Sequence, residues 1–286
     1  MVYSNSKEKS IKYRIFNDAG LSVSFSNYGA RITSVQFNNK QIARNGFVSG
    51  RFANRIKGAS FLLNRKRYLL DQNEGQNHLH GGKHGFSKKY WEVKKRTASS
   101  ITFSLLSPDG DMGYPGNLDI SVTYTLTSAS ELIIEYHATS DKDTILNPIN
   151  HLYFANKEND LKLSINASAY TEKGKDRVPT GRILPTKNTK YDFETLKKLE
   201  RNESYDINYV LNGQGFRQVA CLTSKQFSVD VYTDRPGLQL YQTKKYVCLE
   251  AQMFPDAINH ENFPSPIIKK DTAFYSKTVY HFNYFK

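Results

Sequence analysis

Two cysteines among 286 residues are too few for a disulfide framework. Cys221 and Cys248 form no CxxC pair, and both are expected to be buried, reduced thiols. No stretch approaches the ~18 consecutive apolar residues of a membrane-spanning helix, which argues against a membrane partner. The first residues, MVYSNSKEKSIKYRIF, contain no apolar core of a secretory leader, so a cytoplasmic location is expected. A P-loop, a GxGxxG fingerprint and a Ser/His/Asp order are also missing. Basic residues outnumber acidic ones by 40 to 27, a net charge of +13. Those lysines are scattered through KEK, KKYWEVKKR and LKKLER and form no stripe, so nucleic acid is not an expected partner. Helical periodicity is scarce as well. Only Phe193–Arg201, FETLKKLER, has helical spacing, and it predicts one short helix.

What is abundant favours strands: 19 Tyr and 17 Phe, with alternation of period two. Leu118, Ile120, Val122, Tyr124 and Leu126 point one way while Asp119, Ser121, Thr123 and Thr125 point the other. Leu21, Val23 and Phe25 repeat the pattern, as do Ile101, Phe103 and Leu105, and Phe227, Val229 and Val231. Turn residues fall between these runs at Asp109-Gly110, Pro115-Gly116, Thr180-Gly181 and Pro236-Gly237. The expectation is an all-β chain, a large antiparallel β-sandwich in a single domain spanning residues 1–286.

Polar chemistry is concentrated in three segments. Residues 50–91 crowd Arg51, Asn54, Arg55, His78, His80 and His84 among glycines. The spacing of His78, His80 and His84 would suit a transition metal, but no carboxylate follows in register, and a metal is not expected. His78 and His84 read as loop or surface residues. His80 precedes Gly81-Gly82, where a ligand can approach the backbone closely. His151 follows Asn147-Pro148-Ile149-Asn150; taken alone, a histidine beside aromatics is more often a satisfied structural residue, although its ordinary pKa of about 6.5 suits proton transfer. Glu250 lies in an apolar run, where it is either a solvent-facing strand residue or a buried carboxylate of raised basicity. Asp206, Asn54 and Arg55 are open in the same way, although arginine is a good fork for hydroxyl groups. As a set, these side chains suit proton transfer on a carbohydrate.

Eight segments in order resemble the aldose 1-epimerase (galactose mutarotase) family. They are GRFANRI at 50–56, LHGGKHGFSKKYW at 79–91, SPDGDMGYPGNLDISVTYTLT at 107–127 and NPINHLYF at 147–154. DRVPTGRILPTKNTKYDF at 176–193, SYDINYVL at 204–211, RPGLQLYQ at 235–242 and LEAQMFPDAINHENFPS at 249–265 complete the set. The resemblance implies a galactose-mutarotase-type β-sandwich acting on a small-molecule sugar, with no metal and no cofactor, as a monomer or homodimer. It implies that Glu250, His151 and His80 are catalytic and that Arg55, Asn54 and Asp206 bind substrate. The reaction implied is α/β interconversion of a free aldohexose such as galactose or glucose by acid/base ring opening. A same-fold epimerase for a hexose 6-phosphate and a non-catalytic sugar-binding protein are the alternatives. Three departures bear on specificity: Ala30–Gly50 lacks a long insertion usual before GRxANRI, which is expected to open one wall of the cleft. Leu152 and Ala155 near the histidine, and Ile207 after the aspartate, are expected to alter the surroundings of the acid and of the sugar hydroxyls.

Overall fold

Period-two sequence becomes two large antiparallel sheets in the computed structural model, which describes residues 10–156 and 160–285. The segment on which the absence of a leader was read lies partly outside them. Among the described residues, ten strands form one sheet and nine the other, with three two-stranded ribbons. Leu118–Leu126 shows why. Its apolar residues are buried at every second position, and it pairs in register with Ser100–Ser107 and Glu131–Ser140. The core lies between the sheets: Phe25, Phe103 and Tyr124 interlock there, and Leu152, Phe154, Leu238, Leu240, Val247 and Leu249 close it from the ten-stranded side. Each large side chain fully withdrawn from water contributes about 1.5–3 kcal/mol.

The middle of the ten-stranded sheet is assembled from distant segments. Lys40–Ser49, Ile149–Ala155, Tyr246–Gln252, Gly237–Gln242 and Asp206–Val210 are neighbours in that order. Their inward residues enter the core, so the alternate residues all emerge on the sheet's outer face.

Irregular segments cover that face, held by a second apolar cluster that includes Phe52, Ile56, Phe61, Tyr114, Phe254 and Phe263. Arg51 is buried and donates to the hydroxyl and carbonyl of Ser107 and to the carbonyls of Pro108, Pro115 and Gly116, fastening the 107–116 loop. It is therefore structural.

Several expectations are corrected. No helix forms over Phe193–Arg201. Phe193 and Leu199 are buried in the core while Leu196 is exposed, and Lys197–Lys198 pairs with Lys162–Ile165. Strand pairing and core anchoring override the local helical preference. His78 is neither loop nor surface. It is fully buried; its Nδ1 lies 2.7 Å from the Asp71 carbonyl and its Nε2 2.6 Å from the Tyr114 hydroxyl. With Nδ1–H donating and Nε2 accepting, both ring nitrogens are occupied, and burial lowers the basicity of the ring. His84 is exposed, as expected. Cys248 is buried and Cys221 half-buried, both as free thiols. Among the described residues no helix is long and apolar enough to cross a membrane.

Candidate active site

Two rows of side chains cross the outer face of the ten-stranded sheet. In register, Glu250 faces Gln239, and Gln239 faces Asn208. One step along, Tyr153 faces Cys248, Cys248 faces Tyr241, and Tyr241 faces Asp206. His151 enters from Ile149–Ala155 with its Nε2 3.3 Å from Glu250 Oε1. Thus alternation on four strands collects residues up to 99 positions apart, from His151 to Glu250.

Two turns roof this floor. Asn54 and His80 both have left-handed backbones, with φ of 64° and 52°. They brace each other: the His80 amide donates to the Asn54 carbonyl at 3.0 Å, and the Asn54 amide donates to His80 Nδ1 at 3.2 Å. That bond sets the tautomer, because an accepting Nδ1 leaves the neutral ring's proton on Nε2. Gly81 makes the turn possible, since a Cβ there would come within 1.6 Å of the Gly50 carbonyl oxygen. Arg55 donates through Nε and Nη2 to the two oxygens of Glu74, at 2.6 and 2.7 Å. This bidentate pair fixes the guanidinium plane.

The resulting cleft has a volume of about 340 Å³. All six residues singled out from the sequence line it: Glu250, His151, His80, Arg55, Asn54 and Asp206. The sequence missed Phe47, Glu74, Tyr153, Arg177, Gln239 and Tyr241, which line it too. Phe47 and Tyr153 stack on the His151 ring at centroid distances of 5.0 and 4.7 Å, with Tyr241 edge-on at 5.9 Å. Phe47 belongs to the compact Ala30–Gly50 segment, so that segment supplies a wall of the cleft. Leu152 does not line the cleft, and Ile207 borders only a smaller adjoining recess shared with Asn54, Arg55 and Asp206. Leu152 and Ile207 face the core, on the opposite side of their strands from His151 and Asp206.

The electrostatics follow from this enclosure. Glu250 is 2% exposed, and burial, reinforced by the charge of Asp206, raises its pKa well above the ordinary carboxylate range. Burial lowers His151, and the neighbouring His80 adds to the effect. His80 is lowered as well, by desolvation and then by Arg55. Glu250 Oε2 and His151 Nδ1 have no partner among the described residues. By contrast Asp206 is well held: Gln239 donates to Oδ1 at 2.7 Å and Lys173 to Oδ2 at 2.8 Å. Chemically the cleft offers one poorly solvated carboxyl–imidazole pair, surrounded by oriented donors and acceptors.

Known proteins resemble this chain in sequence and in fold. The family profile described as Aldose 1-epimerase matches residues 12–281. The aldose 1-epimerase of Haemophilus influenzae is 34% identical over 274 residues, covering 83% of this chain and 80% of that protein. Human galactose mutarotase is 32% identical over 271 residues, covering 83% and 78%. Among solved structures, the galactose 1-epimerase of Lactobacillus acidophilus superposes with a TM-score of 0.89 at 25% identity, covering 100% of this chain and 98% of that one. An aldose epimerase homologue from C. elegans gives 0.90 at 25% identity, covering 97% and 100%. With sequence and fold in agreement, the chain belongs to the aldose 1-epimerase family.

Proposed function

We propose that this chain is an aldose 1-epimerase that interconverts the α- and β-anomers of a free aldohexose such as galactose or glucose. The observation that carries the reading is the buried His151–Glu250 pair, 3.3 Å apart on the floor of a sugar-sized cleft. Mutarotation must take the proton from the C1 hydroxyl and give one to the ring oxygen. Both oxygens are bonded to C1, so an acid and a base standing side by side can reach both. Glu250 is the base on the C1 hydroxyl and His151 the acid on the ring oxygen. After the ring opens, rotation about C1–C2 presents the other carbonyl face, and the two groups exchange roles on closure.

The perturbed pKa values fit a shared proton. In the closed cleft burial favours the neutral arrangement, a protonated Glu250 beside a neutral His151. Moving that proton within the pair gives carboxylate and imidazolium, the form the reaction needs, without exchange with bulk water. Hydroxyl groups of a bound sugar solvate both charges. His80 Nε2–H and Arg55 stabilise charge near the ring oxygen, Asp206 accepts from a ring hydroxyl, and Asn54 acts by holding His80. A neutral sugar suits the cations here. Arg55 and Lys173 are committed to Glu74 and Asp206, and Arg177 stands on the exposed rim.

Polarimetry of freshly dissolved α-D-galactose and α-D-glucose tests the proposal. The protein should accelerate relaxation, and Glu250→Gln and His151→Asn should each lose about 10²–10⁴ in rate while remaining folded. Full activity in both variants would refute the acid/base assignment.

A further inference from the structure

Cys248 has no part in the proton chemistry, yet it stands beside the pair that does. It lies two residues from Glu250 on the same strand and the same face, fully buried between Tyr153 and Tyr241. One ligand atom from each of His151, Cys248 and Glu250 lies within 4.8 Å of the others, and all three residues are buried.

We infer that His151, Cys248 and Glu250 form a three-ligand site for a thiophilic divalent cation of the zinc type, and that its occupancy switches the enzyme off. Nitrogen, sulfur and oxygen donors are the set zinc accepts, with bonds of about 2.0–2.3 Å and therefore ligand separations of roughly 3.3–3.8 Å. His151 Nε2 and Glu250 Oε1 already meet that spacing at 3.3 Å. The Cys248 sulfur lies within 4.8 Å of both, so it must close by no more than about 1–1.5 Å to reach ligand spacing. Two further features favour capture. Glu250 Oε2 and His151 Nδ1 are buried without partners among the described residues, so the carboxylate has free lone pairs and the imidazole can carry its proton on Nδ1, exposing the Nε2 lone pair. The cleft above the pair supplies water for the fourth position, which leaves the site open as three-ligand zinc sites usually are.

On binding, the Cys248 S–H bond breaks and its proton leaves to solvent as the sulfur–metal bond forms. Glu250 gives up any proton it carries, and His151 binds through Nε2. The metal then occupies the base and the acid together and blocks the place of the sugar's C1. Binding needs no oxidant and is reversed by chelation. His78 cannot contribute, since both its ring nitrogens are engaged, and His84 stands exposed on the loop.

The test uses the full chain in two arms. In the first, cobalt(II) chloride is titrated into wild type with no sugar present, and a thiolate-to-cobalt charge-transfer band is sought. In the second, mutarotation is followed at buffered free zinc. Expected are the band, at least about tenfold loss of rate at micromolar zinc that is competitive with sugar and reversed by EDTA, and near-normal basal activity in Cys248→Ser. That variant should lose the band and need at least about tenfold more zinc for half-inhibition. Cys248→Ala replaces it if the serine variant does not fold. His84→Ala should change nothing. Absence of the band in folded wild type, zinc inhibition undiminished without the thiol, or loss of inhibition in His84→Ala would overturn the inference. The inhibition arm rests on the proposed acid/base roles, whereas the spectrum does not. A band without inhibition would therefore leave the metal site standing, overturn the switch and count against those roles.

Discussion

At the scale of the residue, the burial of Glu250, the proposed base, costs stability at neutral pH. Its folded pKa is raised above its unfolded value, so its contribution to stability is complete at acid pH and is lost as pH rises. A neutral replacement escapes that loss. Glu250→Gln should therefore unfold at a higher temperature than wild type at neutral pH, with the gain shrinking toward pH 4 while activity stays lowered by about 10²–10⁴. Differential scanning calorimetry at several pH values measures this; a variant less stable than wild type at pH 7 would contradict the burial argument. Glu74 works differently, holding Arg55 through two short bonds at the edge of the cleft. Glu74→Gln keeps the shape but weakens the fork, and should raise KM roughly tenfold with a smaller change in kcat. Steady-state polarimetry separates the two. Neither residue's role was fully legible in the sequence. Glu250 sits in a run that reads equally as a wet or a buried strand face, and Glu74 is an ordinary loop carboxylate until Arg55 is placed against it.

At the scale of the element, Asn147 joins three segments that carry the site. Its side chain accepts from the Met253 amide at 2.8 Å and from Arg235 at 2.6 Å, and donates to the Ala53 carbonyl at 3.3 Å. Asp256 makes a second join: its amide donates to the Arg55 carbonyl and its carboxylate accepts from the Lys57 amide. Asn147→Ala would leave the buried Arg235 guanidinium without that acceptor and should cost about 3 kcal/mol, read as a lower denaturant midpoint with an unchanged slope. The strands themselves were legible, because strict alternation as in Leu118–Leu126 leaves little choice. Their neighbours were not. Period two says that His151 and Tyr153 share a face, but nothing local says that Glu250, Gln239 and Tyr241 lie beside them. Those contacts depend on pairing between segments about 100 residues apart. FETLKKLER shows the opposite failure, a local pattern with the right spacing that the tertiary structure splits between core and solvent.

At the scale of the whole molecule, proton uptake on unfolding should govern acid stability. His78, His80 and His151 are all lowered in the fold, against two carboxyls, Glu250 and Asp256, that are raised. Below the unfolded histidine pKa of about 6.5 the unfolded chain binds the protons that the folded rings refuse, and stability drops as pH falls. The raised carboxyls act in the other direction, but the histidines outnumber them. A melting temperature that rose from pH 6.5 to pH 5 would show that sign to be wrong.

The placement of the cleft has a consequence for how this sequence can change over generations. Among the described residues, those lining it come from the outer face of one sheet and from the ribbon and turns above, and none from the nine-stranded sheet. Chemistry thus constrains one surface, while the back sheet answers only to volume and alternation, demands that many apolar sequences meet. Drift is therefore cheap over half the molecule. A protein sharing a quarter of its residues with the C. elegans homologue can still superpose with a TM-score of 0.90.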